Sequence, residues 1–185
     1  MSKKERATNN NSEPRIEGLF VEKGVRISNG QSIDDLASKG YGVKEGKELL
    51  LTFYEALYLL EKKILEIKQA KGTKLDFQTL AQLSEKTNEN GWANYLVYRD
   101  LRSRGYVVRE GFGSKIDFRV YERGDYSKDT AKYLIINVQE GKPVPIQDLT
   151  TSLTDSLSLK KELVLAVINR RGETVYYSVS ELTLK

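Results

Sequence analysis

Residues 95–124 read YLVYRDLRSRGYVVREGFGSKIDFRVYERG, and the change of period inside this stretch decides the fold class. From Trp92 onward, Tyr95, Leu96 and Leu101 keep a helical stripe that stops at Gly105, a residue that adopts the helix-closing positive φ at little cost. After Gly105 the period becomes strand-like, with YVVR, a hairpin turn over EGFGSKID, and then IDFRVYERG. Gly111 and Gly113 in that turn are no dinucleotide fingerprint, because the third glycine and the following helix are missing.

Toward the C-terminus the strand signal continues through KYLIINV, ELVLAVIN and ETVYYSVSEL. The intervening QDLTTSLTDSLSLKK predicts a helix with Leu149, Leu153, Leu157 and Ser156 on its inner side. Strand, helix and strand in that order imply a mixed sheet with a crossover helix packed on it. Toward the N-terminus, residues 51–68 place Phe53, Ala56, Leu57, Leu60, Ile64 and Ile67 at helical spacing, with Thr52 and Glu55 in a capping-box relation. Asp76 offers a cap for a shorter helix over FQTLAQLSEKT. The string IEGLFVEKGVRI, broken at Gly18 and Gly24, predicts a small antiparallel hairpin or meander. The expected fold is therefore α+β. A small N-terminal α/β domain with a short antiparallel sheet spans residues 15–90, and a C-terminal α/β domain with a mixed sheet and crossover helix spans residues 91–185. Residues 1–14 are polar, without hydrophobic period, and read as a disordered tail.

Composition narrows the function classes. The 185 residues include 39% hydrophobic and 30% charged residues, with 30 basic against 26 acidic and a net charge of +4. That balance permits nucleic-acid binding without demanding it. No run approaches the ~20 apolar residues of a membrane span, and the start lacks the apolar core of a signal peptide, so a cytoplasmic protein is expected, with no membrane partner. The chain has no cysteine and no histidine, which removes disulfides and structural zinc and leaves only oxygen ligands for any metal; no metal site is expected.

Residues 95–108 and 117–124, together with ASKGYG at 37–42, TFYEALYLLEKK at 52–63 and LKKELVLAVINRRGETVYY at 159–177, resemble the archaeal tRNA-splicing endonuclease family. The resemblance runs from about Ile16 to the C-terminus. It implies excision of introns from precursor tRNA at bulge-helix-bulge sites, with no cofactor, by a Tyr, His and Lys triad. The tyrosine matches Tyr121 and the lysine Lys161, while the histidine position falls on Thr130 or Ala131. Neither can replace imidazole, whose pKa of about 6.5 lets it move a proton near neutrality. Asp129 is close in sequence, but a carboxyl serving as the acid would need its pKa raised by roughly three units.

A broken triad in this family implies a non-catalytic structural subunit that works in a heterotetramer with a histidine-bearing catalytic paralogue. Two subunit edges follow from the same resemblance. One is the loop NVQEGKPVPIQDL, with Glu140 as the docking acid and Pro143 and Pro145 as stiffeners; the other is the C-terminal strand bearing Val175, Tyr177 and Val179. Two alternatives stay open: a self-sufficient nuclease using Tyr121 and Lys161 with another acid, and an RNA-binding scaffold outside tRNA splicing. Read from spacing alone, Trp92, Tyr95 and Tyr98 are core-type aromatics, and Arg99, Arg102, Arg104 and Arg109 form an ion-paired face. Which residues touch RNA is not legible.

Overall fold

The computed structural model describes residues 16–182, apart from Ser114, Arg123, Asp125, Ser127, Lys128 and Asp129. The tail predicted over residues 1–14 and the alternative acid Asp129 lie outside the described residues.

The chain opens with strands β1 (Ile16–Val21) and β2 (Gly24–Ile27), then helix α1 (Gly30–Ser38), strands β3 (Val43–Glu45) and β4 (Glu48–Leu51), and helix α2 (Phe53–Glu61). Strands β5 (Leu65–Lys68) and β6 (Lys74–Leu75) precede helices α3 (Phe77–Thr87) and α4 (Gly91–Ser103). Strands β7 (Val107–Glu110), β8 (Phe118–Tyr121) and β9 (Tyr133–Gln139), helix α5 (Ile146–Ser158), and strands β10 (Glu162–Ile168) and β11 (Thr174–Val179) complete it. The strands form a six-stranded sheet in the order β3-β4-β2-β1-β5-β6 and a five-stranded sheet in the order β11-β10-β9-β8-β7. The architecture is α+β, as the change of period predicts. In the second sheet β9 and β10 run parallel, bridged by α5 as crossover helix.

The first sheet is larger than the hairpin read from residues 16–27, and it is mixed, because β1 pairs with β5 in parallel from Ile16↔Leu65 onward. Helix α2 has the expected capping box between Thr52 and Glu55. It ends at Glu61, however, and does not run on to residue 68 as the apolar spacing suggests. Lys63 takes a φ of 60°, turning the chain into β5, where buried Leu65 and Ile67 alternate with half-buried Glu66 and Lys68. A four-residue strand is too short for its period to be told from a helical continuation, and a lysine is an unusual residue at a left-handed helix stop. Helix α1 was not anticipated either, although the Asn29 side chain caps it at the Ser32 N–H and it buries Ile33 and Leu36.

Helix α5 forms where predicted, with a different inner face. Ser152 and Ser156 are buried, Leu149 and Leu153 pack against Leu134 and Leu163, and Leu157 is 54% exposed. At about 100° per residue, positions 149, 152, 153 and 156 share a face from which Leu157 is turned by roughly 80° from Leu149. On α4, Tyr95 and Tyr98 are fully buried, as their spacing predicts, and Trp92 stays 40% exposed at the end of the same row. Tyr54 packs its ring against Tyr98 and edge-on against Phe118, tying α2, α4 and β8 into one core.

The turn after α1 locks this core to the second sheet. Arg102 on α4 donates to the Lys39 and Gly40 carbonyls at 3.0 and 2.9 Å, and Arg109 on β7 donates to Gly40 at 3.0 Å. The buried Glu55 carboxylate accepts from the Gly42 N–H at 3.0 Å and lies 3.8 Å from the Arg109 guanidinium. Gly40 has to be glycine here: its φ is 75°, and a Cβ would sit 2.4 Å from Val107 and 3.2 Å from the Tyr126 ring.

Candidate functional site

Three strand ends define the site. Val120 on β8 pairs with Tyr133 on β9, and Tyr133 pairs with Glu162 on β10. Beyond those pairs, the Lys132 N–H donates to the Val120 carbonyl at 2.9 Å and the Glu162 N–H to the Lys132 carbonyl at 3.0 Å. The register therefore places Tyr121, Lys132 and Lys161 side by side at one end of the second sheet, with Thr130 and Ala131 in the segment entering β9. The matched positions, up to 40 residues apart in sequence, are brought together by strand pairing.

Each side chain has a local setting. Lys161 follows Lys160, whose φ of 55° turns the chain from α5 into β10. Its half-buried ammonium donates to the Ala131 carbonyl at 2.5 Å, so the lysine fixes the segment leading into β9. Tyr121 is half-buried, with its ring edge-on to Tyr126 at 5.1 Å. Ala131 is buried and Thr130 exposed. Lys132 donates to Glu122 at 2.7 Å, and that carboxylate pushes the ammonium further above its ordinary pKa. Glu122 also accepts from the Tyr133 hydroxyl at 3.3 Å.

The sequence reading missed Lys132 and Glu122; their signal is the strand alternation around KYLI, which puts Lys132 at the mouth of β9. Chemically, the arrangement offers ammonium groups that can stabilise charge on a phosphate, and a phenol. It offers no group whose ordinary pKa lies near neutrality to exchange protons with a 2′-hydroxyl and a leaving oxygen.

Comparison with known proteins bears on the whole chain. Residues 16–81 match the tRNA intron endonuclease N-terminal domain, and residues 91–177 match the tRNA intron endonuclease catalytic C-terminal domain. A tRNA-splicing endonuclease of Methanococcus vannielii is 35% identical over 169 residues, covering 91% of this chain and 96% of that protein. One from Pyrococcus furiosus is 35% identical over 142 residues, covering 77% and 81%. The chain belongs to the tRNA intron endonuclease family.

Within this tRNA intron endonuclease fold, the two candidate edges lie on the second sheet and the turn beside it. Glu140 is exposed just after β9; its N–H donates to the Ile168 carbonyl at 2.8 Å, and its carboxylate accepts from the Arg170 N–H at 3.2 Å. Pro143 is exposed, and Pro145 stands at the start of α5 without a side-chain cap. On the edge strand β11, Val175 and Tyr177 are 50% and 54% exposed, while Val179 packs against the cluster of Leu134 and Leu163. The opposite face is tied down where the Tyr176 hydroxyl donates to Asp100 on α4 at 2.8 Å.

Of the four arginines read as an ion-paired face, Arg99 and Arg104 form surface ion pairs, whereas Arg102 and Arg109 turn inward to backbone carbonyls. Arg104 chelates Asp100, Arg99 lies 3.9 Å from Glu61, and Arg102 and Arg109 hold the turn after α1. Among the described residues no group of three or more acidic, histidine or cysteine side chains could hold a metal ion. No helix among them is long and apolar enough to cross a membrane.

Proposed function

We propose that this chain is the non-catalytic structural subunit of a heterotetrameric tRNA-splicing endonuclease, cutting introns from precursor tRNA at bulge-helix-bulge sites together with a histidine-bearing paralogue in the cytoplasm. The observation that carries this reading is the sheet end itself. Tyr121 and Lys161 stand at the family's positions, but Thr130 and Ala131 occupy the place of the imidazole, and no histidine exists anywhere in the chain to substitute. The two retained residues have roles in the fold: Lys161 ties down the Ala131 carbonyl and Tyr121 packs on Tyr126.

The subunit's task is to shape and space the catalytic partners, with an N-terminal domain over residues 15–90 and a C-terminal domain over 91–185. Contacts to the partners run through Val175, Tyr177 and Val179 on β11 and through Glu140 and Pro143 in the turn before α5. An edge strand with half-exposed Val175 and Tyr177 is the kind that a partner covers. The relatives from Methanococcoides burtonii and Methanosarcina barkeri, matched over only 44% and 45% of their lengths, have room for a second unit of this size, which supports association between such units.

Retention of Tyr121 and Lys161 at one sheet end favours a second reading, a self-sufficient nuclease with an acid other than histidine. One experiment separates the two: the complex is assembled with a paralogue whose catalytic histidine is changed to alanine, and precursor-tRNA cleavage is measured. The structural-subunit reading predicts an inactive complex. Cleavage that survives and is then abolished by Tyr121→Phe in this chain would establish the second reading.

A further inference from the structure

At the opposite end of the second sheet from Tyr121 and Lys161 lies a cavity of about 220 Å3 between α5, β9 and the start of α4. Its lining holds polar groups with unmet hydrogen bonds. Ser152, 1% exposed on the inner face of α5, has a hydroxyl with no partner. The Asn137 side-chain oxygen is buried and likewise unpartnered, its amide nitrogen being committed to Asn94 at 2.8 Å. The Asp117 carboxylate accepts one hydrogen bond, from the Asn137 N–H at 2.8 Å, and burial pushes its pKa up. The cation at the rim, Lys115, is paired with Asp148 at 3.0 Å. Two buried polar atoms without a partner, the Asn137 side-chain oxygen and the Ser152 hydroxyl, and the half-buried Asp117 carboxylate line one cavity, and leaving such groups unmatched is costly.

What fits is a positively charged group with several N–H donors, small enough for the cavity and carried on an apolar stem. A guanidinium meets each condition. An ammonium is a compact, more strongly hydrated point charge and gives up its water less readily in a part-buried site. Val144, in the turn before α5 that also carries Glu140 and Pro143, and Asp148, in the first turn of α5, belong to the cavity's lining. We propose that this cavity is a socket for an arginine side chain of the partner subunit, held by the Asp117 carboxylate, the Asn137 side-chain oxygen and the Ser152 hydroxyl. The inference rests on the structural-subunit reading for the identity of the partner. It adds a half-buried acidic anchor to an edge whose exposed Glu140, as a rim charge, contributes little affinity.

The test uses the full chain with two variants, Asp117→Asn and Ser152→Ala, in two measurements. In the first, association with the catalytic paralogue is followed by titration calorimetry; roughly 10- to 100-fold weakening is expected for Asp117→Asn and a smaller loss for Ser152→Ala. Isolated Ser152→Ala should unfold no earlier than wild type, since it loses an unpartnered buried hydroxyl, and Asp117→Asn should stay close to wild type, since its side-chain oxygen still accepts from the Asn137 N–H. In the second, N-methylguanidinium is titrated into the chain alone while the Asn137 and Ser152 amide resonances are monitored; saturable shifts are expected for wild type and not for Asp117→Asn. Wild-type assembly with both variants binding within twofold of it would overturn the socket. If wild type fails to join the paralogue, the structural-subunit reading falls and the methylguanidinium titration decides alone: saturable shifts keep a guanidinium site, and their absence leaves a hydrated cavity only.

Discussion

Glu55→Ala probes the joint on which the two sheets depend. Glu55 is 3% exposed. Its carboxylate accepts from the Thr52 N–H at 2.9 Å, the Thr52 hydroxyl at 3.0 Å and the Gly42 N–H at 3.0 Å, and faces Arg109 at 3.8 Å. Truncation orphans two backbone donors, breaks the capping box of α2 and leaves the Arg109 guanidinium, itself 16% exposed, with the Gly40 carbonyl as its remaining anchor. Each orphaned donor costs about 1–3 kcal/mol and a lost cap about 1 kcal/mol. With partial rescue by water the sum is about 3–5 kcal/mol, the range for breaking a buried charge pair. At about 2–4 °C per kcal/mol for a chain of this size, Tm should fall by roughly 6–20 °C. Urea unfolding at unchanged m-value is the assay, and a loss under about 1 kcal/mol would refute the joint.

Glu55→Gln adds a pH signature. Burial raises the Glu55 pKa, so between the ordinary glutamate value and the raised one the folded state binds more protons than the unfolded state. Wild-type stability relative to Glu55→Gln should therefore decrease as pH rises through that window. A relative increase would contradict the assigned cause.

Three further predictions concern the core, the Tyr121 and Lys161 pair, and the edge. Phe118→Ala, which removes a fully buried ring packed edge-on to Tyr54, should cost about 3–5 kcal/mol by chemical unfolding. Tyr121→Phe and Lys161→Ala in this chain should leave cleavage by the assembled complex within about twofold of wild type; Lys161→Ala should still lower the stability of the isolated chain by about 1–2 kcal/mol through loss of the bond to Ala131. Tyr177→Glu, at a half-exposed position on β11, should change the isolated chain's stability by less than about 0.5 kcal/mol and impair assembly in light scattering.

Sequence legibility followed the length of each signal. The 13-residue helix α4, with Tyr95, Tyr98 and Leu101 on one stripe, was readable because its period repeats several times. In the second sheet β9 and β10 were readable from their seven residues each, and the four-residue β7 and β8 from the glycine turn between them. The three-residue β3 and four-residue β4 and β5 carry too few alternations to be seen, and Ile64 and Ile67 imitate a helix that Lys63 has already ended. At the site, resemblance could nominate Tyr121 and Lys161, but only strand register reveals that Lys132 stands between them and that the Lys161 ammonium is committed to a carbonyl. The socket at Asp117, Asn137 and Ser152 was invisible, since three polar residues on separate elements share no spacing pattern; Ser152 looks from sequence like an ordinary helix serine.

The most direct test of the central claim is cleavage of a bulge-helix-bulge precursor tRNA by the purified chain alone and after mixing with the catalytic paralogue, with masses followed by light scattering. A structural subunit is inert by itself and forms a larger, active complex with its partner. Cleavage by the chain alone, abolished by Tyr121→Phe, would contradict the account.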